Sequence, residues 1–325
     1  MARGATPPNV NTPSGIGIQL LDAPVSRRAD PRANEYIIDF LAPGTTINRR
    51  VLVSNTTTTA KKVQVYAAAA TIDNGAFVFG DGHAVNELVS WVSVDHTDLY
   101  LLPNTDIPVL VTIRVPKTAS AGERYAVVWA QTAAMPSGAR TIGAVNRVGV
   151  RIYLDIGPGG EPASDFQIET LTPARTPDGR PQISAQVRNT GGRAVDLNGT
   201  LTLANGPGSL NAGPYDLTSV ATLAPGEVAP VVVVLDRQLP DGPWHVHLTI
   251  VSGFLTRTAD AVITFPDTGT GAPVVALLTA AQHSPPSGTQ LLLLVVLACG
   301  AILAAGVFEL HRRPAAAMAK KHNRK

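Results

Sequence analysis

The chain alternates apolar and polar residues over short runs, and turn-forming residues separate these runs. From His245 the sequence reads HVHLTIV, in which Val246, Leu248 and Ile250 occupy every second position. Because successive side chains of a strand point to opposite faces of a sheet, we expect these apolar side chains to face a core. Many other runs rich in Val, Ile and Thr end at Gly, Pro or Asn, so the pattern predicts an all-β protein with tight turns.

The same order of strands and turns occurs twice along the chain. A strand ends at Asn55 and another at Asn189, each followed by Thr, and a turn at Pro103 or Pro225 precedes a β-branched strand. The first copy is longer between these landmarks, where residues 72–98 predict an additional hairpin and loop. Short strands at regular spacing are typical of immunoglobulin-like domains, so the sequence predicts two tandem immunoglobulin-like β-sandwiches.

One long apolar stretch near the end of the chain contains no charged residue. It begins at Gln290 and ends at Phe308, and it includes Leu294, Gly300 and the single cysteine of the chain, Cys299. With a rise of about 1.5 Å per residue, a helix of this length spans roughly 28 Å, close to the hydrocarbon thickness of a bilayer. The sequence therefore predicts a single C-terminal transmembrane α-helix.

The tail that follows the apolar stretch is basic. It contains Arg312, Arg313, Lys320 and Lys321, and its only acidic residue is Glu309. The positive-inside rule places such a tail in the cytoplasm and the preceding part of the chain outside the cell. Export requires an N-terminal signal, and the start of the chain contains no apolar segment of that kind. We expect that the signal was removed or that the gene begins upstream.

These patterns divide the chain into six predicted segments. The segments are residues 1–14 as a leader remnant or disordered start, 15–160 as a first immunoglobulin-like sandwich, 161–266 as a second sandwich, 267–289 as a stalk, 290–308 as the membrane helix and 309–325 as the cytoplasmic tail.

The charge of the chain argues against a nucleic-acid partner, and its cysteine content argues against disulfide bonds in the sandwiches. The formal net charge is +2, but the basic tail accounts for the excess and the part before it is mildly acidic. Because that part has no long basic patch, nucleic acid is not an expected partner. No cysteine lies outside the apolar stretch, so core packing rather than disulfides must hold the sandwiches together.

A short motif near the end of the second sandwich allows two interpretations. The residues from Phe265 to Gly269 read FPDTG, which differs at its first position from the LPxTG pattern used for covalent attachment to cell walls. It lies farther from the apolar stretch than a sorting signal does. We therefore favour the alternative, a strand that ends in a turn, because Pro-Asp and Thr-Gly are common in turns.

No catalytic or metal-binding motif is present in the sequence. The nucleophile elbow, the zinc-protease helix, the phosphate-binding loop and the calcium loop are all missing. Glu87, Asp95 and Asp98 are conceivable hydrolytic carboxylates, but loop carboxylates are usually solvated groups. His245 and His247 share a strand face without a third ligand, which favours a solvated face over a metal site. We predict no enzymatic activity, no metal and no cofactor.

Comparison of the two copies identifies candidate ligand-binding residues. Alignment of corresponding strands places Tyr125 and Trp129 on a sheet face that is polar in the second copy. Two aromatic rings displayed on a flat sheet can stack on sugar rings, so Tyr125, Trp129 and Trp91 are the predicted ligand contacts. The alternative is that the insertion in the first copy covers this face, with Trp91 or Phe77 packed against Trp129.

Several segments of the chain resemble a known family. The segments GIGIQLLDAP, LAPGTTINRRVLVSNTT, GERYAVVWAQT and VGVRIYLDIGP are similar to the WxL-interacting proteins of Gram-positive cell surfaces. The resemblance covers about residues 15–325 and rests on strands and turns. It implies a first module that binds peptidoglycan, a second immunoglobulin-like module that binds a host or partner protein, and a membrane anchor with a basic tail.

The predicted function is that of a single-pass cell-membrane protein whose two sandwiches lie outside the cell. Its partners would be peptidoglycan or another cell-wall polymer and a second surface protein, and tethering would raise the effective concentration of each contact. The alternative is an accessory subunit of an envelope secretion or signalling assembly, which would contact proteins rather than glycan.

Overall fold

A computed structural model describes residues 15–134, 144–219 and 221–279. The prediction of an all-β fold is confirmed. The strands of the first module are β1 Ile16–Leu20, β2 Ile37–Leu41, β3 Thr46–Asn55, β4 Lys61–Asp73, β5 Ala76–Phe79, β6 Val92–Val94, β7 Asp98–Leu101, β8 Thr105–Arg114, β9 Gly122–Ala134 and β10 Ala144–Ile156. Those of the second module are β11 Phe166–Arg175, β12 Pro181–Asn189, β13 Val195–Ala204, β14 Ala212–Asp216, β15 Ala221–Leu223, β16 Val228–Val234, β17 Trp244–Ser252, β18 Leu255–Ile263, β19 Val274–Val275 and β20 Leu277–Thr279.

Helices are few and short among these residues. The α-helix α1 spans Pro31–Glu35, and 3-10 turns span Val25–Arg27, Val89–Trp91 and Pro207–Ser209. Within the described ranges, no helix is long and apolar enough to cross a bilayer. The predicted membrane helix of residues 290–308, the basic tail and residues 1–14 lie outside these ranges, so their predictions stay untested.

Two sheets form the first module. One has the order β1-β3-β8-β6, and the other has the order β2-β10-β9-β4-β5 with β7 also paired to β4. All pairings are antiparallel except that of β2 with β10, which is parallel. The order corresponds to the A-B-E-D and G-F-C sheets of an immunoglobulin-like sandwich. A single apolar core lies between the two sheets.

The second module repeats this plan with its own core. Its sheets have the orders β16-β12-β11-β19 and β14-β13-β17-β18-β20, and β15 also pairs with β13. On β17, Val246, Leu248 and Ile250 are buried as predicted, whereas His245 and His247 lie on the exposed face. Each fully buried apolar side chain of this size stabilises the fold by about 1.5–3 kcal/mol, which explains how the module holds without a disulfide.

Matching buried asparagines mark the internal repeat. The side-chain amide of Asn55 donates to the carbonyls of Thr59, Leu101 and Leu102 at 2.9–3.2 Å. Asn189 donates to the carbonyls of Arg193 and Leu223. Each amide therefore links two segments. One is the turn that follows its own strand, and the other is the end of the strand just before Pro103 or Pro225. The repeated Asn-Thr pattern thus reflects a repeated structural bond.

The predicted end of the second module is wrong. The chain does not leave the sandwich at Pro266: β19 pairs with β11, and β20 pairs with β18. Ala276 between them is buried against the core, which explains why this segment stays attached. The FPDTG residues lie between β18 and these strands in a bend, with the buried Phe265 ring in the core, as the turn interpretation predicted.

A polar network joins the two modules. Asp30 caps α1 by accepting from the amide of Arg32, and this short helix directs Arg32 toward the second module. There its Nε donates to Oδ2 of Asp196 at 2.8 Å. The other carboxylate oxygen of Asp196 accepts from the hydroxyl of Tyr153 at 2.8 Å and from that of Thr222 at 2.7 Å. We call Asp196 and these donors, with Arg151 at 3.3 Å, the Asp196 network.

Candidate functional site

The outer face of the six-stranded sheet in the first module carries the predicted aromatic residues. Trp129 lies on this face, but its side chain is only 6% exposed. The ring of Phe79, from the inserted strand β5, meets the Trp129 ring edge-on at 4.9 Å between centroids. The guanidinium of Arg147 covers the ring at 4.5 Å from its centroid.

The Trp129 ring packs against a glycine on the neighbouring strand. Gly149 lies directly opposite Trp129 across β9 and β10. A Cβ at Gly149 would approach the Trp129 ring and a methyl of Val127 to 2.6 Å, so only glycine lets the indole lie flat on the sheet. The indole is therefore packed from below by β10 and from the side by β5.

The other two predicted contacts do not form an open platform with Trp129 either. Tyr125 is half-buried: its hydroxyl donates to Glu123 at 2.8 Å, and Phe77 meets its ring edge-on at 6.2 Å. Burial raises the pKa of the Tyr125 hydroxyl well above its ordinary value. Trp91 lies on the other side of the sheet, in the core between the two sheets.

The prediction of an open aromatic platform at Tyr125, Trp129 and Trp91 is therefore wrong. The insertion covers the face, as the alternative interpretation held, although Phe79 rather than Trp91 or Phe77 packs on Trp129. The physical reason is that two large apolar rings gain more free energy from burial under a hairpin than from exposure to water.

The same sheet face is open at its other end, beyond Tyr66. A shallow cleft of about 590 Å³ lies there, and we call it the Tyr100 cleft. Its lining residues are Lys62, Val63, Gln64, Asp98, Leu99, Tyr100 and Gln131. Cross-strand pairing sets their positions, because Lys62 faces Tyr100 and Gln64 faces both Asp98 and Gln131. The Tyr100 ring is 62% exposed.

Polar groups in the Tyr100 cleft are oriented and partly unengaged. Gln131 accepts a hydrogen bond from the Tyr66 hydroxyl at 2.6 Å, which fixes the position of its side-chain oxygen. Across the described ranges, no hydrogen bond or ion pair engages the side chains of Lys62, Gln64 or Tyr100. The ring of His83 stacks on Tyr66 at 3.9 Å and extends the aromatic surface.

This combination suits a neutral polar ligand with apolar ring faces. An exposed tyrosine can stack on such a face, while amide and ammonium groups at its side hydrogen-bond to hydroxyls. The sequence signal for Tyr100 was present: in the strand DLYL, the buried Leu99 and Leu101 alternate with Asp98 and Tyr100. The comparison of the two repeats selects residues on β9 and therefore does not identify Tyr100.

The three conceivable hydrolytic carboxylates each bond to a different partner. Glu87 pairs with Arg124 at 2.7 Å, Asp95 accepts from the amide of Leu110 at 2.8 Å, and Asp98 accepts from the Thr97 hydroxyl at 3.0 Å. Each carboxylate thus has its own local structural contact.

One of the two exposed histidines of β17 has a local partner as well. His247 contacts Asp260 at 2.7 Å. No group of three or more His, Cys, Asp and Glu side chains in the part of the chain that is described is placed to hold a metal ion.

Among the described residues, one long strand edge in the first module has no pairing partner along much of its length. β2 pairs with β10 only from Ile152 to Ile156, and no described strand pairs with that edge of residues 144–151. We call this stretch the β10 edge, and at about 3.4 Å per residue it extends roughly 27 Å. A groove of about 570 Å³ runs beside it, lined in part by Ile16, Val145 and Val148.

Comparison with known proteins gives only distant structural similarity. No protein-family model matches the chain, and no curated protein sequence matches it. Among solved structures, the CupB2 chaperone of Pseudomonas aeruginosa is similar with a TM-score of 0.38 and 12% identity, over 70% of this chain and 97% of that chain.

Two further solved structures have a comparable likeness. A chain of the Salmonella enterica complex between the SafA pilin and the SafB chaperone has a TM-score of 0.40 and 11% identity, over 82% and 96% of the two chains. The DraB chaperone of E. coli has a TM-score of 0.38 and 11% identity, over 74% and 94%. Likeness at this level identifies neither a family nor a function for the chain, whose all-β sandwich architecture stands on its own strands and cores.

Proposed function

We propose that this chain is a non-enzymatic, membrane-anchored protein of the cell surface whose first module binds cell-wall glycan in the Tyr100 cleft. The observation that carries the proposal is the exposed Tyr100 ring next to Gln64, Lys62 and Gln131. Among the described residues no hydrogen bond engages the side chains of Gln64 and Lys62, which can therefore meet hydroxyl groups. The resemblance of the sequence to WxL-interacting proteins, with their peptidoglycan-binding module, supports the same ligand class.

The binding mode follows from the geometry of the cleft. A sugar ring would lie on the Tyr100 face, and Gln64 and Gln131 on the neighbouring strands would hydrogen-bond to its hydroxyl or acetamido groups. The cleft is a partly open depression on a sheet surface, which suits a polymer rather than a small enclosed ligand. Each contact would be weak, and anchoring by residues 290–308 would raise the effective concentration of wall polymer.

Co-sedimentation with purified sacculi tests this proposal. The full-length chain, kept in mild detergent, should sediment with sacculi, and Tyr100→Ala should weaken the binding about three- to tenfold through loss of one ring contact. Phe254→Ala is the matched control, because Phe254 is a similarly exposed aromatic residue in the second module, at 64% exposure. Equal binding of wild type and Tyr100→Ala would reject the cleft as the glycan site.

The second candidate function is a protein-binding subunit of an envelope assembly, and the β10 edge favours it. An unpaired edge can accept an extended segment of another protein by backbone hydrogen bonding, with alternate side chains entering the adjacent groove. The apolar side chains of Ile16 and Val148 beside the edge would receive those side chains.

Site-specific photocrosslinking on intact cells separates the two functions. A photoreactive residue at Gln64 should crosslink to wall glycan if the Tyr100 cleft is the functional site. A photoreactive residue at Asn146, which lines the groove beside the β10 edge, should crosslink to a polypeptide if strand addition is the function. A crosslink to polypeptide at Asn146 with none to glycan at Gln64 would reverse the order of the two candidates.

A further inference from the structure

A second cavity lies where the two modules meet. It has a volume of about 520 Å³, and we call it the junction cavity. Its walls come from β2, β9, β10 and the connection between the modules, together with two turns of the second module. The residues that matter for its chemistry are Asp155, Glu123, Tyr125 and Phe40, and the rest of the wall consists largely of glycine and proline.

Asp155 is the unusual residue of this cavity. Asp155 is only 3% exposed, and its Oδ2 atom has no hydrogen-bond partner among the described residues. A buried carboxylate oxygen without a donor costs on the order of a few kcal/mol, so such atoms normally have a partner. Burial raises the pKa of the Asp155 carboxyl, because the loss of hydration outweighs the opposing charges of Arg193 and Arg124 and a hydrogen bond from the backbone amide of Ile156.

The cations near Asp155 are engaged with other acids. Arg193 pairs with Glu123 at 3.5 Å and also contacts Glu161. Arg124 pairs with Glu87 at 2.7 Å. No ion pair within the described ranges includes Asp155. The charges of Arg193 and Arg124 act on it only from a distance, and neither guanidinium bonds to its Oδ2.

Glu123, by contrast, has a complete set of partners. It lies directly opposite Asp155 on the neighbouring strand. Its Oε2 accepts from the amide of Ala194 at 2.7 Å and from the Tyr125 hydroxyl at 2.8 Å. The difference between two facing carboxylates, one fully satisfied and one not, points to Asp155 as the group that is left for a ligand.

The walls of the cavity favour an organic cation over a metal ion. Phe40 and Tyr125 contribute aromatic rings, which attract ammonium groups through their negative faces. Metal ions need several anionic or imidazole ligands, and no such group of three occurs among the described residues. An alkylammonium ion needs one carboxylate for its charge and apolar or aromatic surface for its carbon chain.

We propose that the junction cavity binds a primary alkylammonium group, with the Asp155 carboxylate accepting its N–H donors and the Phe40 and Tyr125 rings packing against its carbon chain. Amine-bearing side chains of cell-wall peptides and lysine side chains of partner proteins share this chemistry. The site is separate from the Tyr100 cleft, so this inference does not depend on the function proposed for that cleft.

The test uses n-butylammonium as the probe and 1-butanol as its neutral counterpart, with the full-length chain in detergent. Amide NMR signals of the cavity glycines Gly122, Gly157 and Gly192 should shift in a saturable way with butylammonium and not with butanol. Saturable shifts of equal affinity with butanol, or the absence of shifts with butylammonium at its solubility limit, would overturn the proposal. This comparison needs no variant and is independent of any effect on folding.

A variant then assigns the site to its carboxylate. Asp155→Asn keeps the shape of the side chain and removes its charge, so the affinity for butylammonium should fall at least about tenfold. Asp178→Asn is the control, because Asp178 is an exposed acid in a turn of the second module. Unchanged affinity in Asp155→Asn would show that this carboxylate does not hold the ammonium group. Loss in both variants would show that general charge, not this site, attracts the probe.

Discussion

Replacement of Asp196 by Asn should strongly destabilise the protein, because this side chain joins the two modules. The carboxylate is 12% exposed and receives donors from Arg32, Tyr153, Arg151 and Thr222. Asparagine has the same shape but carries no charge and turns an NH₂ group toward some of these donors. The guanidinium of Arg32, itself only 13% exposed, would then keep only the carbonyl of Ala194 as a good acceptor.

The expected magnitude follows from this burial. Removal of one partner from a buried ion pair costs about 3–5 kcal/mol. The lower end applies here because Arg151 is 27% exposed and can turn to water. We therefore expect Asp196→Asn to lower the free energy of unfolding by about 3 kcal/mol.

Urea denaturation followed by circular dichroism measures this loss. Glu169→Gln is the matched control, an acid-to-amide change at an exposed pair with Arg188, and it should cost at most about 0.5 kcal/mol. If Asp196→Asn cost no more than the control, the network would not be what holds the modules together, and the reasoning from burial would be refuted.

Three further predictions concern single side chains. Asn55→Ala should lower the free energy of unfolding by about 2–4 kcal/mol and Asn189→Ala by somewhat less, because the Asn55 amide contacts three carbonyl groups and the Asn189 amide contacts two. Urea titration checks this order, and equal small losses would contradict it. Gly149→Ala should lower the free energy of unfolding by about 1–3 kcal/mol and change the tryptophan fluorescence, because the added methyl group displaces the Trp129 ring. Gly160→Ala is the control: no atom lies within 4 Å of an added Cβ there, so stability and fluorescence should stay unchanged. Burial raises the pKa of the Asp155 carboxyl above its ordinary value of 3.8, so the folded state binds the carboxyl proton more tightly than the unfolded state does. Ionisation of Asp155 therefore lowers the stability of the fold as the pH rises from 3.8 through the pKa of the folded state. Asp155→Asn should therefore be more stable than wild type at neutral pH, with a difference that shrinks toward pH 3.8, and a difference independent of pH would contradict this assignment.

Local alternation made much of the sandwich predictable. The buried positions of β17 follow from a period of two, which depends only on neighbouring residues. The repeated Asn-Thr pattern also carried real structural information, since Asn55 and Asn189 make equivalent buried bonds. Both features are encoded within a few residues of sequence.

Contacts between distant residues could not be predicted in the same way. Whether β5 covers Trp129 depends on where a hairpin folds back, and the sequence held both possibilities open. β19 and β20 contain only two and three residues, too few for a periodic signal, and they form because their partners are already in place. The pairing of Arg32 with Asp196 joins residues 164 positions apart, which no local pattern reports.

The Tyr100 cleft was missed for a related reason. Its residues come from three strands, and each alone is an ordinary exposed position of an alternating strand. Only the register of β4 against β7 and β9 brings a tyrosine, two glutamines and a lysine to one surface. The aromatic residues that stood out in the sequence are those that the fold uses for packing.

The most direct test of the central proposal is to follow the ring signals of Tyr100 by NMR while soluble glycan fragments released from sacculi are added to the full-length chain. Binding in the Tyr100 cleft predicts a saturable shift of the Tyr100 ring signals, with those of the half-buried Tyr125 unchanged. Fragments that bind while the Tyr100 signals stay in place would contradict it.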